Sequence, residues 1–301
     1  MRNSLIEFTY KTAMLSMIIK SSYRPQASDI SIETDIFEFT LLRQRTNSDR
    51  LQISAILTQE ARQLCFYGLQ QTQKFSSKIA FAKAIAQAFL GDDYPPNFIP
   101  TSKEMTWIQD SISLALNLQT ILTDLDIPNY ITGGIAAATY GEPRTTRDLD
   151  IVIALIPTKL DILVQSLEAE GFHVPGIEDI RVGRLQTLSI THQETIARAD
   201  LILADNSEFE QEKFKRQRAI IIPKRGTLYL VSPEDLILSK LRWCQQSQPE
   251  KQTRDVLGIM KVQNQNLDIN YLNEKAAQLQ LCQLLNQVIS EAGLSQQNLE
   301  H

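Results

Sequence analysis

The stretch Ile131-Thr132-Gly133-Gly134-Ile135-Ala136-Ala137-Ala138-Thr139-Tyr140-Gly141-Glu142-Pro143-Arg144-Thr145-Thr146-Arg147-Asp148-Leu149-Asp150-Ile151-Val152-Ile153 carries two signals in a fixed order. First, Gly133-Gly134 stands between a short strand at Tyr130–Thr132 and a short helix at Ile135–Tyr140. Glycine lets a backbone approach an anion with no Cβ in the way, and a helix N-terminus offers free N–H groups and partial positive charge. Second, Asp148-Leu149-Asp150 opens a β-branched run that reads as a strand over Leu149–Ile156. Strand side chains alternate, so Asp148 and Asp150 share a face while Leu149 points to the core. Two carboxylates on one face repel each other unless cations sit between them.

Mg²⁺ prefers oxygen ligands of this kind and keeps room for phosphate oxygens. Alone, a Gly-Gly is usually a turn and an Asp-x-Asp a solvated loop. In this order, with Arg144-x-Thr146-x-Asp148 leading into the acids, they resemble the nucleotidyltransferase fold of the DNA polymerase β superfamily. Within it, the AbiEii-like and minimal-nucleotidyltransferase branches are the nearest in pattern. Gly133, Gly134, Ala136, Tyr140, Gly141, Arg144, Thr146, Asp148 and Asp150 match, and the resemblance spans about Asn129 to Val262. One position departs: many relatives place Ser after the second glycine, and here it is Ile135.

The resemblance implies an α+β fold and Mg²⁺-dependent transfer of a nucleoside monophosphate from an NTP to a hydroxyl. It makes Asp148 and Asp150 the metal ligands, with Gly133, Gly134, Arg144 and Thr146 at the triphosphate. It also implies a third metal-binding, catalytic carboxylate on a neighbouring strand. Asp200, in the apolar run Ile196–Leu203, is the best candidate, and it should lie across the sheet from the first two; Asp205 and Glu194 are weaker. The alternative for Asp200 is an ion pair with Arg198 or Arg184. Related enzymes place a lysine where Lys240 stands, which suggests another phosphate contact, although an exposed lysine is as good a reading. The implied acceptor is an RNA, such as a tRNA end, or a protein, with an antitoxin partner in a toxin–antitoxin setting. A rival of another class is a catalytically inactive binding protein that keeps the fold. Ile135 favours the rival; the intact Gly-Gly and Asp-x-Asp favour the enzyme.

The chain has 301 residues, enough for more than one core, with 43% hydrophobic and 22% charged residues. A net charge of −5 argues against a generally basic nucleic-acid binder. The basic segment Lys213, Lys215, Arg216, Arg218, Lys224 and Arg225 could bind a nucleic-acid or nucleotide backbone, though such a run is more often a solvated face. Cys65, Cys244 and Cys282 form no metal or disulfide spacing, which fits reduced thiols and a cytoplasmic protein. No apolar run approaches membrane-span length, and the short one at Ala13–Ile19 lacks a signal-peptide cleavage site.

Three regions are expected. Residues 1–98 form a helical N-terminal module, with 1–22 disordered or upstream of a start at Met14 or Met17. Residues 99–231 form the α/β core and 232–298 a helical C-terminal region. Leu299-Glu300-His301 reads as a tag remnant. Pro95, Pro96 and Pro100 mark the first boundary, so a chain starting near Ile99 should fold alone. Phe37, Phe39, Phe66, Tyr67, Trp107 and Trp243 read as core.

Overall fold

Leu149, Ile151 and Ile153 are all but inaccessible to solvent, and they hold one strand at the centre of a mixed sheet. The computed structural model describes residues 22–95, 97–101, 104–245, 247 and 249–294. The expectations for residues 1–21 and 299–301 lie outside them.

The fold is α+β. Seven strands run as β1 (Asn129–Ile131), β2 (Asp148–Ile153), β3 (Phe172–His173), β4 (Thr187–His192), β5 (Ala197–Leu203), β6 (Arg218–Ile222) and β7 (Gly226–Leu230). Their order across the sheet is β3-β4-β5-β2-β1-β7-β6. The sheet is mixed: β2 runs parallel to β5 and β1 to β7, while β1 and β2, adjacent at its middle, pair antiparallel, as do β3 with β4, β4 with β5 and β6 with β7. The twelve helices in chain order are α1 (Ile32–Arg43), α2 (Asn47–Thr72), α3 (Lys78–Leu90), α4 (Ser111–Asp124), α5 (Gly133–Tyr140), α6 (Leu160–Ala169), α7 (Ile177–Arg181), α8 (Glu208–Arg216), α9 (Pro233–Cys244), α10 (Pro249–Gln263), α11 (Ile269–Gln278) and α12 (Cys282–Glu291), counted among the described residues.

The chain forms two compact units, and their limits differ from the expected boundary after residue 98. One unit joins the described residues up to Thr46, Tyr140–Glu142, and those from Pro233 onward. The other holds Asn47–Thr139 and Pro143–Ser232, so α2 and α3 belong with the sheet.

In the sheet unit, Asp110 caps α4 by accepting from the Ile112 and Ser113 N–H groups at 2.9 and 3.0 Å. Leu160, Leu163, Val164 and Leu167 give α6 one buried stripe at helical spacing. A second cluster gathers Phe66 from α2, Phe81, Ile85 and Phe89 from α3, Trp107, and Ile196 from the turn between β4 and β5. Arg62 fastens α2 to that turn. Its guanidinium donates to the Trp107, Thr195 and Ile196 carbonyls at 3.2–3.3 Å, and burial pulls its pKa down to about 10. Gly91, at φ +61°, caps α3, and the core does not end there.

Gly68 sits inside α2 with open space around it. Gly68→Ala is therefore expected to stabilise the protein by up to about 1 kcal/mol, the helix-propensity difference, read as a raised thermal midpoint.

The other unit is helical, and its interior holds charge. Lys261 is 2% exposed; its ammonium donates to Asp35 Oδ2 and to the Arg24 carbonyl, both at 2.7 Å, and lies over the Tyr23 and Phe39 rings. Burial lowers the Lys261 pKa against the pull of Asp35. The Tyr23 hydroxyl donates to the same carboxylate, and burial with Asp35 raises its pKa far above the ordinary value. Phe39, Phe66 and Trp107 are core residues as expected, but Phe37, Tyr67 and Trp243 are exposed. No described helix is long and apolar enough to cross a membrane.

Candidate active site

The site grows from the register of β2 on β5. Parallel pairing sets Asp148 beside Arg198 and Asp150 beside Asp200. With a two-residue period all four side chains share one face, giving a grid of three acids and one base. One ligand oxygen from each of Asp148, Asp150 and Asp200 lies within 4.8 Å of the others, and all three residues are half-buried. These are hard oxygen donors in the spacing a small divalent cation needs, so the residues fit Mg²⁺.

Gly133 makes room for this arrangement. Its φ is +63°, a left-handed conformation, and a Cβ there would fall 1.8 Å from Asp150 Oδ2 and 2.8 Å from Asp150 Cβ. Gly134 directs its N–H at the same oxygen across 3.4 Å, so the N-terminus of α5 faces the carboxylate. A Cβ on Gly134 would lie 2.7 Å from Thr146 Oγ1 and 3.8 Å from an Arg144 nitrogen. Thus Gly133, Gly134, Arg144, Thr146, Asp148, Asp150 and Asp200 come together. The Thr146 hydroxyl donates to the Asp148 carbonyl at 3.1 Å, which ties the approach loop to the strand. Ile135 is buried, 2% exposed, so its side chain goes to the core.

Gly133→Ala is expected to cost about 2–4 kcal/mol. The left-handed backbone contributes roughly 1–2 of this and overpacking against Asp150 the rest. Chemical denaturation measures it; a loss under about 0.5 kcal/mol would refute the close approach.

Helix α2 supplies a support the sequence did not advertise. Ser54 donates to the Arg144 carbonyl at 2.6 Å, Thr58 Oγ1 accepts from the Thr146 N–H at 3.3 Å, and Arg50 donates to the Thr139 carbonyl at 2.8 Å. Polar residues spaced every four along a helix were the available signal. Beside Asp148 a small pocket opens, lined in part by Thr58, Arg62, Thr146, Arg147 and Arg198.

Asp200 also takes the ion pair foreseen as its alternative. The Arg198 guanidinium reaches both Asp200 oxygens, at 3.0 and 3.1 Å, and Asp93 at 2.5 Å. Burial lowers the Arg198 pKa, but Asp200, Asp93 and Asp148 outweigh it and hold the pKa above its ordinary value. Arg184 pairs with Asp179 instead. Of the weaker acids, Asp205 accepts from the Ser207 N–H ahead of α8.

Lys240 is not exposed. It is buried in the helical unit, with its ammonium 2.7 Å from Asp255, fifteen residues along the chain, and 3.2 Å from Gln252. In the basic segment, Lys213 is buried against Glu210, and Arg225 pairs with Asp110.

No protein-family model matches the chain, and a search of curated proteins finds no match. Among solved structures, the chain is similar to an antigenic nucleotidyltransferase-like protein from Paracoccidioides brasiliensis, with 19% identity, over 63% of this chain and 95% of that one, at a TM-score of 0.40. It is also similar to the antibiotic-resistance factor ANT(2'')-Ia, with 15% identity, over 56% of this chain and 90% of that one, at a TM-score of 0.42.

Proposed function

We propose that this chain is a Mg²⁺-dependent nucleotidyltransferase that moves a nucleoside monophosphate from an NTP to a hydroxyl of RNA or protein. The observation that carries the reading is the convergence of Asp148, Asp150 and Asp200 at a Gly-Gly turn whose first glycine tolerates no side chain. Asp148, Asp150 and Asp200 would hold the metal, which supplies neutralisation of phosphate charge when bound. The backbone at Gly133 and Gly134 and the Arg144 guanidinium bind and orient the triphosphate. The acceptor oxygen bonds to the α-phosphorus, the bond to the β-phosphate breaks, and pyrophosphate leaves. Asp200 receives the hydroxyl proton. A tRNA end or a partner protein as acceptor, and an antitoxin as partner, follow from the AbiEii-like resemblance.

A second reading, an inactive binding protein, is favoured by the Arg198 contact that engages both Asp200 oxygens. Incubation with each α-labelled NTP, Mg²⁺ and either total RNA or cell lysate separates the two. Label in RNA or protein that requires Mg²⁺ and intact Asp148 is expected. No labelled product from any NTP would overturn the enzyme reading.

A further inference from the structure

Asp200 does not face the proposed metal position unopposed. Arg198 sits two residues before it on β5, beside Asp148 in the register, with its side chain 13% exposed. One of its nitrogens contacts both Asp200 oxygens and lies 3.3 Å from Ser189 Oγ. The other contacts Asp93, whose side chain is half-exposed in the turn that follows α3. A guanidinium and a divalent cation attract the same carboxylate lone pairs. Whatever draws Arg198 away from Asp200 therefore makes Asp200 a better metal ligand, and Asp93 is placed to do so.

We infer that Asp93 is a positioning residue for metal binding: by holding Arg198, it sets how strongly Asp200 engages a divalent cation. The inference rests on the proposed metal site at Asp148, Asp150 and Asp200. In Asp93→Asn, Arg198 loses its outer carboxylate and turns its whole charge on Asp200. Metal affinity should fall. With Arg198 removed, Asp93 has nothing to hold, and its substitution should matter little.

Mn²⁺ titration of the full chain, read by its electron paramagnetic resonance signal with no nucleotide present, tests this. Wild type, Asp93→Asn, Arg198→Gln and the double variant form a cycle, and Asp92→Asn on the same exposed turn controls for bulk charge. Asp93→Asn should weaken Mn²⁺ binding about tenfold, in the range of couplings within one ion-pair network. Asp92→Asn should change it by less than about twofold, as exposed charges are screened. In the Arg198→Gln background the Asp93 effect should shrink to less than about twofold. Equal effects of Asp92→Asn and Asp93→Asn, or an additive cycle, would overturn the role of Asp93 and leave the metal site standing. Wild-type Mn²⁺ binding that is absent, or unchanged by Asp150→Asn, would overturn the metal site and the inference together.

Discussion

Replacing Asp148 or Asp150 by Asn is expected to lower Mg²⁺-dependent nucleotide transfer by about a thousandfold or more without unfolding the protein. An amide keeps the shape of the side chain and loses its negative charge. If metal binding contributes several kcal/mol to the transition state, losing one anionic ligand forfeits much of it, and each 1.36 kcal/mol is a factor of ten. The fold should tolerate the change. Both residues are half-buried on the site face, while Leu149 between them is 1% exposed and carries the packing. Relief of repulsion among three acids should hold the melting temperature level or raise it. Transfer rates and thermal melts of both variants check this, and undiminished transfer in both would remove the site assignment.

A chain beginning at Ile99 is expected to lose cooperative folding, contrary to what the prolines at 95, 96 and 100 suggest. The truncation removes Phe66, Phe81, Ile85, Phe89 and Leu90, all buried. Each such side chain contributes roughly 1.5–3 kcal/mol on burial, so the loss is on the order of 10 kcal/mol. That matches the whole stability of a typical domain, about 5–15 kcal/mol. Trp107 and Ile196 would lose their cover, and the Arg144–Thr146 loop its supports on Ser54 and Thr58. Soluble expression, near-ultraviolet circular dichroism and a melting curve decide the matter. A sharp, reversible transition in the truncated chain would refute the shared core.

What the sequence disclosed was local. Gly133-Gly134 and Asp148-Leu149-Asp150 each state their geometry within a few residues, because a strand has a period of two and glycine has no Cβ. Asp200 was within reach for the same reason: an apolar strand with one acid must point that acid at something polar or charged. The allegiance of α2 and α3 was not within reach. Prolines report where a helix stops, not which core it packs on. The exposed Phe37, Tyr67 and Trp243 show that aromatic character alone does not name a face. The burial of Lys240 was not legible, because its acid lies fifteen residues away on another helix. Helix α8 passed unseen, since Glu208–Arg216 holds more charge than apolar pattern.

The buried bond between Asp35 and Lys261 spans 226 residues, and the whole sheet unit is encoded inside that interval. Ribosomal synthesis makes the order of assembly unequal for the two units. At roughly 5–20 residues per second, Asp35 is synthesised some 10–45 s before Lys261. The sheet unit, with all its segments already synthesised, can close first. Meanwhile the Asp35 carboxylate and the Phe39 ring, both destined for the interior, wait in water or in the grip of a chaperone. The nascent chain thus passes through a stage in which the proposed catalytic unit is complete and the helical unit is still open at both ends.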